Sequence, residues 1–311
     1  MTPTPAHTLR ELVSGPGLVV LPGVTNAFDA LLAERAGFPA LFTTGAGIAN
    51  VHFGRPDLGL LTMSEIVEAN RRIAAAVGIP ILADADTGYG NHLNAFRTVQ
   101  ELEQAGVGGL IIEDQVAPKK CGHFEGKAVI AQREMIEKLV AARRARRDGD
   151  LVLVARTDAI AVEGFDAAIA RARAYVAAGA DVVFVEAPSS VEQLEAIPSL
   201  VPAPCLLNIV EGGKTPILAP ERLEELGYKV ALYANLALRM GAAAVERAFA
   251  TLHAERSSAS LTGELLAWGR RQETVGLSAW QELDRSIAAE AAGLDPLAGP
   301  GAGTDAPTGS R

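Results

Sequence analysis

Asp84, Ala85 and Asp86 place two carboxylates two positions apart in a mostly apolar stretch, ILADADTGYG. If that stretch ends a strand, alternation sends both side chains to one side. Carboxylates this close repel each other unless a cation lies between them. A hard divalent ion with oxygen ligands meets that need. Mg2+ suits a site of few carboxylates and retained waters, and Mn2+ can take its place. Glu113, closing the next apolar run, can join the pair directly or through water. Alone, D-x-D is equally a surface-loop pattern, and it is the company of Glu113 that points to a metal.

A second chemical group lies in segment 115–127, QVAPKKCGHFEGK, where Cys121 stands beside Lys119, Lys120 and His123. Nearby cations favour thiolate over thiol. Such a thiol, on a loop able to close over a ligand, could give or accept a proton. The rival reading is an exposed, incidental cysteine. Cys205 opens an apolar run and reads as core. Arg156 ends the run VLVAR, has no apolar role there and should face an anion, a bidentate carboxylate being its natural partner. A structural ion pair with Glu186 is the alternative. There is no Ser-His-Asp order and no H-E-x-x-H, and the histidines fit no metal spacing.

Residues so far apart in sequence need a scaffold that gathers them. Short apolar runs at 18–24, 40–45, 80–86, 109–114, 151–158, 182–187, 205–210 and 229–234 read as strands buried on both faces of a parallel sheet. Helical patterns lie between them, for example 92–105 and 165–178, and glycine follows several. Eight strand–helix units predict a (β/α)8 TIM barrel rather than an open doubly wound sheet, for which the first turn lacks G-x-G-x-x-G. In such a barrel chemistry gathers at the strand C-termini. Here these carry Asn26, Thr44/Gly45, Asp84/Asp86, Glu113/Asp114, Arg156/Asp158, Glu186, Asn208/Glu211 and Asn235. The catalytic barrel is expected over residues 1–255, a helical segment for subunit packing over 256–290, and a disordered Gly/Pro/Ala tail over 291–311.

The chain has 311 residues, 49% hydrophobic and 21% charged, which excludes a wholly disordered protein. A net charge of −9 is a poor match to a duplex-binding protein, so no nucleic-acid partner is expected. The densest basic run, KLVAARRARR at 138–147, reads as a solvated helix face. Two cysteines cannot build a disulfide scaffold, no apolar run approaches a membrane span, and the N-terminus lacks a signal layout. The expectation is a cytoplasmic protein without a membrane partner.

At these residues the sequence resembles the isocitrate lyase/phosphoenolpyruvate mutase superfamily, across roughly residues 8–290. The resemblance rests on TTGAG (43–47), GRPDLG (54–59), ADADTGYGN (83–91), IIEDQ (111–115), KKCGH (119–123), ARTDA (155–159), VEAP (185–188) and NIVEGGKTP (208–216), in order. It implies a barrel whose last helix is swapped between subunits, in a homotetramer built as a dimer of dimers. It also implies Mg2+ held by Asp84, with Asp57, Asp86 and Glu113 completing its shell directly or through water. The carboxylates of a small di- or tricarboxylate would be gripped at Thr44, Gly45 and Ala46, by Arg156, and by Asn208 with neighbours such as Glu211. KKCGH is typical of members that break C–C bonds, with Cys121 as the acid and His123 and Glu186 tuning the surrounding hydrogen bonds.

Some lyases of this family carry a tyrosine, suggested as the base, where this chain has Phe42, so no phenol acts there. The expected activity is Mg2+-dependent retro-aldol cleavage of a 2-alkylmalate such as 2,3-dimethylmalate to pyruvate or a similar 2-oxo acid. 2-Methylisocitrate cleavage comes next, then C–C hydrolysis of oxaloacetate. Phosphonate P–C rearrangement is disfavoured by KKCGH, and a non-enzymatic binding barrel by the presence of Asp84, Asp86, Glu113 and Cys121 together.

Overall fold

The computed structural model describes residues 3–120, 126–213 and 215–294. Eight parallel strands close in sequence order into a barrel, as the sequence pattern predicts. They are β1 (Val19–Val24), β2 (Leu41–Thr43), β3 (Ile81–Asp84), β4 (Gly109–Glu113), β5 (Val152–Thr157), β6 (Val182–Val185), β7 (Cys205–Asn208) and β8 (Tyr228–Tyr233). The ring closes where β8 pairs in parallel with β1, Val19 opposite Val230.

Helix α1 (Pro5–Ser14) precedes the barrel, with Thr4 accepting a cap bond from the His7 amide. Its Leu9 lies so close to Gly109, at the start of β4, that a Cβ there would come within 2.9 Å. The N-terminal end of the barrel is therefore covered, leaving the C-terminal end for a ligand. Outside the strands run α2 (Ala27–Arg35), α3 (Gly45–Phe53), α4 (Met63–Ala74), α5 (His92–Gln104), α6 (Gln132–Ala145), α7 (Ile160–Glu163), α8 (Phe165–Ala178), α9 (Val191–Leu200), α10 (Pro220–Leu226) and α11 (Leu236–Glu255). Their starts follow local chemistry: Asn26, Thr44 and Ser190 cap α2, α3 and α9, while Thr62 with Glu65 and Asn91 with Asn94 form capping boxes on α4 and α5. Asn26, a strand-end candidate by sequence, is thus spent on a helix cap.

Inside the barrel Leu21, Phe42, Leu82, Ile111, Val154, Phe184, Leu206 and Leu232 form one buried apolar cluster. A second cluster fills the space between the sheet and α4 to α6, and a third packs α8 to α10 on β5 to β8. Every strand is covered on both faces, which is why these runs read as continuously apolar.

The basic run departs from its expected role. Lys138, on α6, is only 3% exposed, so the face of α6 bearing it packs inward with Met135, Leu139 and Ala142. The pattern M-x-x-K-L-x-x-A places Lys138 on the apolar stripe, a position its charge disguised.

The chain divides into two compact units, Met1–Ser260 and Leu261–Arg311. The helical segment expected over 256–290 is broken: a 3-10 turn (Ala259–Glu264) is followed by α12 (Trp268–Thr274) and α13 (Leu277–Leu294). Residues 291–294, expected in the tail, form the last turn of α13, and 295–311 lie outside the described residues. Trp268, Trp280, Leu283 and Ile287 are exposed in this second unit, with the Arg271 guanidinium 3.9 Å over the Trp268 ring. Among the described residues no helix is long and apolar enough to cross a membrane.

Candidate active site

The geometry follows from strand alternation. Two residues past the interior side chains Phe42, Leu82, Ile111, Val154, Phe184 and Leu206 come Thr44, Asp84, Glu113, Arg156, Glu186 and Asn208. The period of two keeps them on the interior side, so a polar layer sits on the apolar one at the C-terminal mouth. Thr44, Asp84, Arg156, Glu186 and Asn208 line a narrow cavity of about 50 Å³, with Asp57, Ala46, Lys119 and Asn235 around it and Phe42, Ile111, Phe184 and Leu232 beneath. A wider groove of about 610 Å³ opens alongside, past Leu61, Thr87, Tyr89 and Arg97, and shares Lys119 with it.

Register places Glu113 directly opposite Arg156 across the β4–β5 ladder. Arg156 Nε lies 3.3 Å from Glu113 Oε2, and Nη2 lies 3.5 Å from Glu186 Oε1. The same guanidinium forks onto Asp158, with Nε donating to Oδ2 at 2.8 Å and Nη2 to Oδ1 at 3.0 Å, and stacks 5.0 Å over the Phe184 ring. The two readings of Arg156 from sequence therefore combine: it borders the cavity and it is held by protein carboxylates, with Asp158 the bidentate partner and Glu186 a weaker contact. Burial alone would raise the Asp158 carboxyl, yet Arg156 and Lys127 pull it down to about 2. Asp114 stays out of the site, accepting hydrogen bonds from Thr157, Tyr175, Arg171 and the Asp158 amide.

Asp84 and Asp86 converge, though not by alternation. β3 ends at Asp84, and Asp86 turns into the left-handed region at φ 46°. Its amide donates to Asp84 Oδ1 at 3.1 Å, while the Gly45 amide donates to Asp84 Oδ2 at 3.1 Å. A Cβ on Gly45 would meet Asp84 Oδ2 at 2.9 Å and Asp86 Oδ1 at 3.4 Å, so glycine is what lets α3 begin against both carboxylates. Tyr89 also has a positive φ, 58°. Two non-glycine residues held this way cost on the order of 1–3 kcal/mol each, a strain typical of functional turns. Burial pushes the Asp86 carboxyl up to about 6 even against the pull of Lys119. Burial likewise lifts Glu113 well above the carboxylate range in spite of Arg156.

Sequence reasoning gave Lys119 too small a part, as a neighbour of Cys121. Its ammonium is buried 2.5 Å from Asp57 Oδ1 and 3.0 Å from Asp86 Oδ1. Burial works against this charge, but Asp86, Glu113, Asp84 and Asp57 outweigh it and hold its pKa well above the lysine range. Tyr89 was missed altogether. Its hydroxyl is buried without a hydrogen-bond partner in the described structure, and burial followed by the surrounding carboxylates raises its pKa far above that of a free phenol. The signal available was an aromatic residue between Gly88 and Gly90, directly after the paired carboxylates.

Thr44, Gly45 and Ala46 stand where expected, at the first turn of α3. Thr44 Oγ accepts from the Gly47 amide and the Gly45 amide is taken by Asp84, so Ala46 at this helix start is the member of the trio left to meet an anion. Asn208 Oδ1 is buried at the cavity wall without a partner among the described residues. Glu211 is not among the residues lining the cavity; it stands 3.6 Å from Arg239, whose guanidinium also donates to the Glu211 carbonyl at 2.7 Å. Cys121 and His123 lie outside the described residues. The segment bearing them is anchored on both flanks: Gln115 bridges to Val129, and its side-chain amide exchanges two 2.9 Å bonds with the Lys120 backbone.

Among the described residues no three His, Cys, Asp or Glu side chains converge closely enough to hold a metal directly. Mg2+ needs no such cage, since it commonly takes one or two carboxylates and keeps several waters. Asp84 makes no ion pair among the described residues, and Glu113 Oε1 is buried with no hydrogen-bond partner. This donor set fits a hydrated divalent cation: Asp84 would hold it, with Glu113, Asp86 and Asp57 near enough to complete its shell directly or through water.

A closed barrel with a polar, anion-rich C-terminal mouth defines an enzyme of the (β/α)8 class. A family model described as phosphoenolpyruvate phosphomutase matches residues 9–253, and the chain belongs to this phosphoenolpyruvate mutase/isocitrate lyase superfamily. It is 39% identical over 283 residues to the 2,3-dimethylmalate lyase of Eubacterium barkeri, covering 91% of this chain and 98% of that one. It is 41% identical over 287 residues to the 2-methylisocitrate lyase of Aeropyrum pernix, covering 92% of each. Among solved structures, oxaloacetate acetylhydrolase in complex with 3,3-difluorooxalacetate matches with a TM-score of 0.87 at 33% identity, over 92% of this chain and 97% of that one. Phosphonopyruvate hydrolase in complex with oxalate and Mg2+ matches with a TM-score of 0.80 at 30% identity, over 94% and 100%. The chain is an enzyme of the carbon–carbon lyase type.

Proposed function

We propose that this chain is a Mg2+-dependent lyase that cleaves a 2-hydroxy dicarboxylate of the 2-alkylmalate type, 2,3-dimethylmalate being the representative, to pyruvate or a similar 2-oxo acid and a carboxylate. The observation that carries the reading is the polar layer of Asp84, Glu113, Arg156, Glu186 and Asn208 seated on an apolar barrel floor. Among the described residues the cations lining the cavity are Arg156 and Lys119, and both already face protein carboxylates. A substrate with two carboxylates suits that charge balance better than one with three, which favours an alkylmalate over 2-methylisocitrate. Oxaloacetate hydrolysis is the third reading.

Mg2+ on Asp84, with Mn2+ able to replace it, would supply Lewis-acid stabilisation of negative charge on oxygen. The chain's own residues do the rest. Arg156 presents its guanidinium to one substrate carboxylate, and the start of α3 at Ala46 takes the other with a backbone N–H. Asn208 is placed to hold a substrate oxygen. Once a base has taken the hydroxyl proton, the C–C bond breaks with its electron pair going to the departing carbon, giving the 2-oxo acid and the enolate of the second carboxylate. Cys121 then protonates that strongly basic carbon, with His123 and Glu186 ordering the hydrogen bonds around the thiol. The phenyl ring of Phe42 lines the cavity and carries no proton for this chemistry.

Full-length protein assayed with 2,3-dimethylmalate, 2-methylisocitrate and oxaloacetate side by side is expected to release pyruvate fastest from the first and to stop on addition of EDTA. Oxalate and acetate from oxaloacetate as the dominant products would overturn the assignment. Cys121→Ser is expected to lower turnover about 10²- to 10⁴-fold, the range of a lost general acid, while leaving Mg2+ and product binding near wild type. Full activity in that variant would remove Cys121 from the mechanism.

For assembly, we propose a homotetramer with its last barrel helix exchanged between subunits. Met240, Val245, Phe249 and Leu252 on α11, and Trp268, Trp280, Leu283 and Ile287 in the second unit, are exposed apolar side chains. Patches of this kind are characteristic of subunit interfaces. A net charge of −9 is a poor match to a nucleic-acid partner.

A further inference from the structure

The turn from Asp84 to Gly90 is held from behind as well as from the cavity side. Four of its residues have positive φ: Asp86 at 46°, Gly88 at 80°, Tyr89 at 58° and Gly90 at 145°. Such a backbone persists only when its surroundings over-determine it. The bonds that do so can be traced residue by residue. The Asp86 carbonyl accepts from the Glu113 amide at 2.8 Å, and the Gly88 amide donates to the Ala85 carbonyl at 2.9 Å. Thr98 Oγ1 shares its proton between the Asn94 carbonyl at 2.9 Å and the Gly88 carbonyl at 3.3 Å. The Thr87 carbonyl accepts from Lys138 Nζ at 3.1 Å. These bonds occupy the carbonyls of the turn, while the Asp84 and Asp86 carboxylates and the Tyr89 hydroxyl belong to the acidic cluster.

Of these contacts the one from Lys138 is the least expected on grounds of stability. Its side chain is buried on the apolar stripe of α6 and forms no ion pair among the described residues. Burial holds its pKa below the lysine range, against Glu134, Asp114 and Glu113. A methionine of similar volume would fill the space without taking a charge out of water. What an ammonium adds is a donor strong enough, and a stem long enough, to reach the Thr87 carbonyl from a neighbouring helix.

We propose that Lys138 is a positioning residue for the acidic turn: by fixing the Thr87 carbonyl, with Thr98 fixing that of Gly88, it holds Asp86 and Tyr89 in their left-handed conformations so that the carboxylates meet a hydrated divalent cation. The proposal rests on the metal-dependent reading given above. It predicts that Lys138 acts on metal affinity and on turnover, through geometry, without touching substrate.

The test uses the full-length protein and its variants Lys138→Met, Lys138→Arg and Thr98→Val, with Mn2+ as the probe, its binding followed by electron paramagnetic resonance, and with melting measured in EDTA. Lys138→Met is expected to weaken Mn2+ binding at least tenfold and to lower kcat by a similar factor, with a smaller change in the substrate KM. Lys138→Arg, which keeps a long charged donor, is expected to restore both to within about threefold of wild type. Thr98→Val is near-isosteric and covers the case in which Lys138→Met does not fold; it is expected to weaken Mn2+ at least threefold. Wild-type Mn2+ affinity and kcat in the folded variants, with only the melting temperature lowered, would show Lys138 to be a packing residue and overturn the proposal. Wild-type protein that neither binds Mn2+ nor releases pyruvate would instead remove the functional reading, and this inference with it.

Discussion

Asp84→Ala is expected to remove most Mg2+-stimulated pyruvate release, with a loss of about 10²- to 10³-fold, the scale seen when one preorganised charge-stabilising group is removed. Asp84 differs from its acidic neighbours in what it touches. Asp57 and Asp86 face Lys119, and Glu113 faces Arg156, whereas among the described residues Asp84 accepts only backbone amides, from Gly45 and Asp86. Among those residues it is the carboxylate of the cluster with no direct ion pair, Lys119 acting on it only from farther away. Calorimetric titration with Mg2+ checks the assignment directly: heat of binding should vanish in Asp84→Ala, while melting in EDTA should change little. Asp84→Asn separates charge from shape, since the amide oxygen can still accept a backbone bond. It too should fail to bind Mg2+. Retained Mg2+ affinity in either variant would remove Asp84 as the ligand.

The second large effect is expected at Arg156, and it falls on the fold as well as on the chemistry. Arg156→Met would remove the guanidinium that Asp158, Glu113 and Glu186 all face, leaving Lys127 to hold Asp158. Breaking a buried ion pair by deleting one partner costs about 3–5 kcal/mol, because the remaining charges keep their desolvation cost. For a chain of this size that corresponds to a fall in melting temperature on the order of 10 °C. Arg156→Lys keeps the charge but not the planar fork that meets both Asp158 oxygens. It should fold closer to normally and still lose most turnover, read as a raised KM for the dicarboxylate. A lysine variant with wild-type kcat/KM would show that Arg156 serves the protein's own carboxylates and not those of the substrate.

The barrel was legible because its signal is local and repeated. Eight apolar runs, each long enough for one buried strand and each followed by a helical pattern, leave few other ways to bury the same surface. The strand ends were legible too. Thr44, Asp84, Glu113, Arg156, Glu186 and Asn208 follow interior residues at a spacing of two, and alternation alone brings them to one mouth. Glu211 shows the limit of that logic. It lies three residues beyond the end of β7, where alternation no longer governs direction, and the loop turns it toward Arg239. Asp86 reached the site for a reason different from the one the sequence suggested, through a left-handed turn rather than a pleat. In the second unit the helical period ran through a break at 265–267 and another at 275–276, because hydrophobic spacing registers a face and not the caps that interrupt it.

By itself the sequence determined the fold class, the superfamily, and the chemistry-bearing residues at the strand ends, since composition and short-range spacing depend on nothing outside the segment that carries them. Only the tertiary structure decided which charges meet: Lys119 between Asp57 and Asp86, Arg156 shared among three acids, Lys138 buried behind the acidic turn, and Tyr89 with a hydroxyl unpartnered among the described residues. Pairing of this sort is set by which strands and helices become neighbours in space and by how much water they exclude. A carboxylate or an ammonium reads the same in sequence whether it is solvated or sealed into a barrel.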